Sequence, residues 1–159
     1  MYSLYGGELV ENSCFFLGHR STPQELLPAL KAAVERQITE HGVTCFYVGR
    51  YGNFDRLAGQ AVLAAKERRP EVELLLVLPY HPAIRPVETP AGFDGTFYPF
   101  VNERVPPRLA ILRADRRMVE RCGHLIAWVN RPGTTRDLLD WARRRAERGL
   151  LHLENLAEG

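Results

Sequence analysis

The stretch that decides the fold is residues 44–78, TCFYVGRYGNFDRLAGQAVLAAKERRPEVELLLVL. Residues 44–48 predict a β-strand, and the glycine-containing segment behind them leads into a helix with one apolar side. The final run, residues 72–78, is nearly all apolar, which is typical of a strand that is covered by helices on both faces. A strand, a helix and a second strand in this order predict a βαβ unit with parallel strands.

The same alternation of strands and helices continues on both sides of this unit. Upstream, residues 14–17 predict a strand, and Thr22, Pro23 and Glu25 predict a capped helix start, with a stop at Gly42. The predicted elements downstream are a long proline-rich loop at 80–100, a third helix opened by Pro106-Pro107 with an apolar stripe of Leu112, Met118, Val119 and Cys122, a strand at 124–129, a helix at 135–148 and a fifth strand at 151–156. We therefore expect an α/β fold with a doubly wound, mainly parallel sheet of about five strands flanked by helices.

Length and composition favour one globular domain. The chain has 159 residues, of which 45% are hydrophobic and 25% charged, and these values exclude disordered, collagen-like, coiled-coil and disulfide-scaffold proteins. We expect a single domain over residues 1–159, with residues 1–13 as an N-terminal extension. No apolar run approaches the ~20 residues of a membrane span, and the N-terminus lacks the pattern of a signal peptide. The sequence therefore predicts a cytoplasmic protein without a membrane partner.

The charged residues and the cysteines say less about function. Twenty-one basic and nineteen acidic residues give a net charge of +2, which is too little to call for a nucleic-acid partner. Only Lys31 and Lys66 are lysines; the arginines suit bidentate phosphate recognition, although a genomic codon bias explains the same ratio. The three cysteines, which lie beside apolar segments without metal-type spacing, are expected to be buried thiols (Cys14, Cys45 and Cys122). His124 and His152 have no paired ligand, so no metal site is predicted.

Candidate binding residues follow three of the predicted strands. In a doubly wound sheet, ligands bind beyond the carboxyl ends of the strands, where the strand order reverses. Glycine lets a ligand approach the backbone, and a helix N-terminus offers amides to an anion. The strand-end candidates are Gly18, His19, Arg20, Gly49, Arg50, Tyr51, Gly52, Asn53, Asn130, Arg131, Gly133, Thr134 and Thr135. We expect them to line one crevice, although tight turns, and a helix cap formed by Thr134 and Asp137, explain the same residues.

Several segments together resemble the SLOG superfamily, which includes the SMF/DprA and Lonely Guy families, and in particular its YpsA-like members. The resemblance covers residues 14–156 and implies a Rossmann-like fold that binds nucleotides or nucleotide-derived ligands. The segments that carry it are Phe16-Leu17-Gly18-His19-Arg20, Phe46-Tyr47-Val48-Gly49-Arg50-Tyr51-Gly52-Asn53-Phe54-Asp55, Tyr98-Pro99, Pro106-Pro107-Arg108 and Arg117-Met118-Val119-Glu120-Arg121.

The Lonely Guy enzymes, which hydrolyse the N-glycosidic bond of nucleoside monophosphates, offer a sharper comparison. Their motif, Pro-Gly-Gly-x-Gly-Thr-x-x-Glu, falls on residues 129–137, where Gly133 and Thr134 match and Asp137 replaces the glutamate. Val129, Asn130 and Arg131 replace the proline and the glycine pair. The catalytic arginine of that family falls at Ala114, with Arg113 one position earlier. These departures count against hydrolase activity.

Three functions remain open on the sequence alone. The first is a sensor or carrier that binds a nucleotide-like ligand, with the phosphate near Gly133, Arg131 and Arg20 and the base near Tyr51 and Asn53. The second is a phosphoribohydrolase-like enzyme that uses Asp137 with Arg113 or Arg116. The third is a DprA-like DNA-binding module, against which the near-neutral charge argues. No residue pair is singled out as general acid and base, no cofactor is predicted, and a homo-oligomer stays open.

Overall fold

A computed structural model describes residues 10–158 and shows a six-stranded sheet with helices on both faces. All strand pairs are parallel, and the strand order is β4-β3-β2-β1-β5-β6. The elements are β1 (Val10–Gly18), α1 (Leu27–His41), β2 (Cys45–Val48), α2 (Asn53–Arg68), β3 (Glu73–Val77), β4 (Gly95–Phe97), α3 (Ala110–Arg121), β5 (Cys122–Trp128), α4 (Thr134–Glu147) and β6 (His152–Asn155). The predicted α/β class and the Rossmann-like, doubly wound arrangement are confirmed.

The central strand β1 separates two hydrophobic layers. Successive residues of a strand point to opposite faces, so Phe16 packs in the layer of α1 and α2, whereas Phe15 and Leu17 pack in the layer of α3 and α4. β1 begins at Val10. Residues 10–13, which the sequence assigned to an N-terminal extension, are therefore part of the sheet, and residues 1–9 of that extension lie outside the described residues.

Two of the helix caps predicted from the sequence are not formed. The Thr22 hydroxyl donates to the His19 carbonyl at 2.7 Å, and a short 3₁₀ turn, Gln24–Leu26, precedes α1. α4 begins at Thr134 itself, with Gly133 in the N-cap position and no side-chain cap. The caps predicted at Thr22 and Thr134 are therefore wrong. The Thr22 hydroxyl binds the carbonyl of a loop residue instead of a helix N–H group. The predicted stop at Gly42 is confirmed, because this residue has the left-handed φ of 67°.

The proline-rich loop at 80–100 contains β4, a strand that the sequence did not predict. β4 lies at the edge of the sheet and pairs with β3, with Thr96 opposite Leu76. The carboxylate of Asp94 anchors it by accepting from the Leu74 N–H and from Lys66 Nζ, both at 2.8 Å. The sheet therefore has six strands instead of about five.

The remaining corrections concern α3 and the ends of β5. Leu112, which was expected in the apolar stripe of the third helix, is 43% exposed, and Ala110 and Ala114 are buried in its place. Cys122, which was also expected in that stripe, is the first residue of β5.

The three cysteines are buried free thiols, as predicted. Within residues 10–158, no helix is both long and apolar enough to cross a membrane.

Candidate functional site

A cavity of about 390 Å³ lies at the carboxyl ends of the central strands. The strand order reverses between β1 and β5, so the cavity is at the place where doubly wound sheets bind their ligands. Its polar and glycine lining comes from the end of β1 and the loop behind it, from the loop after β2, from α2, from α3 and the turn before it, and from the first turn of α4: Gly18, His19, Arg20, Gly49, Tyr51, Asp55, Arg108, Asp115, Thr134 and Thr135.

The structure divides the thirteen predicted binding residues into three groups. Seven of them line this cavity, with at least one from each of the three predicted segments (Gly18, His19, Arg20, Gly49, Tyr51, Thr134 and Thr135). Arg50 and Gly52 line a neighbouring groove between α2 and the segment around Phe93. The other four, Asn53, Asn130, Arg131 and Gly133, lie outside the lining of the main cavity. Ligand contact stays a prediction for every one of them.

The glycines of the site allow close packing between protein segments. A Cβ added at Gly18 would lie 2.3 Å from Cγ of Phe54, so the first turn of α2 packs directly on the end of β1. Gly52 has a φ of 137°, and a Cβ there would lie 2.6 Å from the Cα of Arg20. The loops after β1 and β2 are therefore held against each other, and Asn53 completes this contact by donating from its amide to the Thr22 carbonyl.

His19 and Arg131 connect the loop after β1 with the loop after β5. His19 is buried, and its Nε2 accepts a hydrogen bond from the Asn130 N–H at 3.2 Å. Burial lowers the pKa of His19, and the charges of Arg131 and Arg136 lower it further, so the imidazole is held neutral as this acceptor requires. Arg131 donates to the Ser21 carbonyl at 3.2 Å. Arg131 therefore links the loop after β5 to the loop after β1.

One wall of the cavity suits an anion. The first amides of a helix have no intrahelical acceptor, and no side chain among the described residues caps α4. Thr134 and Thr135 of this uncapped first turn line the cavity. Arg20 and Arg108 line the same cavity. Arg108 was not predicted; it enters from the 3₁₀ turn Pro107–Leu109 that precedes α3. Two guanidinium groups and a helix N-terminus together favour a phosphate or carboxylate.

Two carboxyl groups, Asp55 and Asp115, share this cavity. Oδ2 of Asp55 accepts a hydrogen bond from the Tyr51 N–H at 3.0 Å. Asp115 makes no hydrogen bond or ion pair with any residue in the range 10–158, and it is deep in the fold although the cavity leaves it partly accessible. Burial raises the pKa of Asp55 to about 6. Burial and the charge of Asp55 raise the pKa of Asp115 to about 8.

The pair therefore holds one proton near pH 7, because two neighbouring carboxylates resist ionising together. The backbone donor at Asp55 stabilises the charged form there, so the proton stays on Asp115. Neither Asp55 nor Asp115 is among the candidate binding or catalytic residues that the sequence analysis named. A signal existed: Asp115 is four residues from both Ile111 and Val119, which places it on the packed side of α3.

The residues proposed for a hydrolase do not meet at this cavity. Asp137 and Arg113 are exposed and lie outside its lining. The guanidinium of Arg116 lies 4.4 Å from the centre of the Trp141 ring, where it packs on α4. The carboxylates that do line the cavity come from α2 and α3.

A histidine cluster, which the sequence did not predict, lies away from the cavity. It consists of His41, His124 and His152, whose ring centroids are 4.3–5.5 Å apart. Burial and the two neighbouring imidazoles lower the pKa of His124 to about 4, and burial lowers that of His152. Even so, the part of the chain that the structure describes has no group of three or more His, Cys, Asp or Glu side chains that could hold a metal ion.

Comparisons with known proteins place the chain in no family. No protein-family model matches the sequence, and no curated protein matches it significantly.

Proposed function

We propose that the chain binds a nucleotide or a nucleotide-derived ligand in the cavity between the ends of β1, β2 and α4, as a sensor or carrier. The observation that carries the proposal is the meeting of Arg20, Arg108 and the uncapped first turn of α4 in one cavity at the reversal of strand order. Each of these favours an anion. A phosphate near Thr134 and Thr135 would interact with all three.

The rest of the lining suits the other parts of such a ligand. Tyr51 supplies an aromatic ring on the side of β2, and Asp55 of α2 and Asp115 of α3 supply polar groups. A volume of about 390 Å³ lies within the size range of small-molecule sites. The SLOG-like segments support the same proposal, since Gly18, Arg20 and Gly49 belong to them and also line the cavity.

A thermal-shift panel of AMP, ADP-ribose, NAD and cyclic nucleotides tests the proposal. A ligand at ~100 times its Kd adds ~2.7 kcal/mol to the free energy of unfolding, which raises the Tm by roughly 5–10 °C for a domain of this size. We expect the shift to shrink in Arg20→Gln and Arg108→Gln and to persist in Arg113→Gln, because Arg113 lies outside the lining.

Glycine variants are poor probes of this site, because Gly133 has a φ of 137° and any side chain there strains the backbone. Isothermal titration with inorganic phosphate and ribose 5-phosphate decides the case in which no panel member shifts the Tm. The absence of binding for both compounds would refute an anion site in this cavity.

The carboxyl pair favours a second candidate function, hydrolysis of the N-glycosidic bond of a bound nucleotide. A protonated Asp115 and an ionised Asp55 have the protonation states of a general acid and a general base. Incubation with AMP and detection of free adenine tests this reaction. We expect Asp115→Asn to abolish any release and Asp137→Asn to leave it intact, since Asp137 is exposed outside the cavity.

A further inference from the structure

We propose that Asp55 and Asp115 form a one-proton pair that binds the hydroxyl groups of a ribose-like sugar, with Asp55 accepting and Asp115 donating a hydrogen bond. The inference rests on the proposed function and names the part of the ligand that these two side chains recognise. It assigns to Asp115 a binding role that depends on its remaining a carboxylic acid.

The geometry of the pair leaves hydrogen-bonding capacity that the protein does not use. One oxygen of Asp55 is engaged by the Tyr51 N–H, and no hydrogen bond to Oδ1 is made by the residues that the structure describes. Asp115 lines the cavity without any partner among residues 10–158. Asp115 is only partly exposed, and its exposed part faces the cavity. A carboxyl group there without a protein partner can take a partner that the ligand supplies.

The charges around the pair do not supply that partner. The titratable and charged groups in the cavity are His19 and Arg20 after β1, Tyr51 after β2, Arg108 before α3, and the two carboxyls themselves. Neither arginine forms a salt bridge with Asp55 or Asp115 in the described chain. His19 is held neutral, because burial and neighbouring arginines lower its pKa. The pair therefore keeps its proton, and the arginines stay available to an anion.

A pair with one proton is complementary to a diol. Each sugar hydroxyl is both a donor and an acceptor, an ionised carboxylate only accepts, and a protonated carboxyl also donates. Two adjacent hydroxyls can thus donate to Asp55 and accept from Asp115 at the same time. The arginines and the first turn of α4 would hold the phosphate of the same ligand, which identifies the ligand class as a ribose phosphate or a nucleotide built on one.

Isothermal titration in EDTA with ribose 5-phosphate, 2-deoxyribose 5-phosphate and inorganic phosphate tests the pair at pH 6.5 and pH 9. We expect the wild type to bind ribose 5-phosphate about tenfold more tightly than the deoxy compound, which corresponds to one lost hydrogen bond. With a pKa of about 8 for Asp115, the pair has lost its proton in about nine-tenths of the protein molecules at pH 9. Binding of ribose 5-phosphate should therefore be roughly tenfold weaker at that pH.

Two variants separate the proton from the shape of the side chain. Asp115→Asn keeps a hydrogen-bond donor that does not titrate. The variant should therefore bind ribose 5-phosphate at pH 6.5, and its affinity should not show the roughly tenfold decrease at pH 9 that we expect for the wild type. Asp115→Leu should bind this compound weakly at both pH values and lose the preference for ribose 5-phosphate over 2-deoxyribose 5-phosphate. Circular dichroism of each variant verifies the fold.

The outcomes distinguish this inference from the proposed function. If the wild type binds none of the three phosphate compounds, the proposed function fails and the inference fails with it. If it binds them but Asp115→Asn shows the same weakening at pH 9 as the wild type, only the inference is overturned. A requirement for Mg²⁺, with no binding in EDTA and recovery on its addition, also overturns it, because the carboxylates would then be ligands of a cation.

Discussion

Replacing Asp115 by asparagine should stabilise the protein at and above neutral pH. The pKa of this carboxyl is about 8 in the fold, against an ordinary value of 3.8. Below pH 3.8 it is protonated in both the folded and the unfolded state and costs nothing. As the pH rises towards 8, the unfolded chain loses this proton while the folded chain keeps it, so the free energy of unfolding falls by up to ~1.4 kcal/mol per pH unit.

Over the interval of roughly four pH units, the upper limit of this cost is about 6 kcal/mol. Relaxation of the cavity and entry of water reduce the effective cost, and we expect Asp115→Asn to gain about 2–4 kcal/mol at pH 8.5. For a chain of this length the gain corresponds to a rise in Tm of roughly 5–12 °C. At pH 4.5 the difference should fall below about 1 kcal/mol.

Urea unfolding of wild type and variant at pH 4.5, 7 and 8.5 measures the difference. Glu120→Gln is the matched control, because Glu120 is on the same helix but outside the cavity lining, and its effect should stay within about 0.5 kcal/mol. An Asp115→Asn protein that is no more stable than the wild type at pH 8.5 would show that the carboxyl has an ordinary pKa, and the one-proton pair would then be wrong.

Three further predictions test the packing around the site and the histidine cluster. Gly18→Ala should lower the free energy of unfolding by about 1–3 kcal/mol, because the added Cβ would lie 2.3 Å from Phe54. Gly59→Ala should raise it by about 0.5–1 kcal/mol, because Gly59 lies inside α2 and its added Cβ would have its nearest neighbour at 3.7 Å. Thermal melts should therefore show Tm changes of opposite sign for the two variants. Asn155→Ala should cost about 1–3 kcal/mol in urea unfolding, since the buried amide exchanges two hydrogen bonds of 3.1 Å with the backbone of Val129. The pKa of His124 is lowered to about 4, so this imidazole is neutral in both the folded and the unfolded protein above pH 6.5. As the pH drops from 6.5 towards 4, the free energy of unfolding should fall by about 1–2 kcal/mol, after allowance for partial exposure, and it should fall less in His124→Gln. The same dependence of this free energy on pH in both proteins would contradict this account.

The parts of the fold that the sequence predicts are those in which local pattern and burial agree. β3 is nearly all apolar because both of its faces are covered, and α2 has a regular apolar side because it packs on the sheet. β4 has no such pattern: Gly95, Thr96 and Phe97 form a strand because Asp94 ties the segment to β3 and Lys66. These hydrogen bonds join residues that are about twenty or more positions apart in the sequence. A local pattern of apolar residues cannot predict such contacts.

The site divides in the same way. The ends of β1 and β2 are predictable, since topology requires the carboxyl ends of parallel strands to meet at one edge. Arg108 and Asp115 were missed because they reach the cavity from α3 and its preceding turn, after a long loop that returns across the sheet. The contact of Arg131 could not be predicted for a related reason, because its local sequence does not reveal that it donates to the Ser21 carbonyl.

The energetics of the cavity argue that its carboxyls are there for a ligand. A leucine at position 115 would bury apolar surface in a layer that already contains Met118 and Val119, without the cost of an unpaired carboxyl. The protein instead carries Asp115 in the same cavity as Asp55, and burial together with the charge of Asp55 opposes ionisation of Asp115. Sequences that satisfy local rules elsewhere depart from them mainly at functional sites. The departure here coincides with two arginines and an uncapped helix at the same strand ends, and a ligand that carries both an anion and hydroxyl groups would satisfy all of these groups at once.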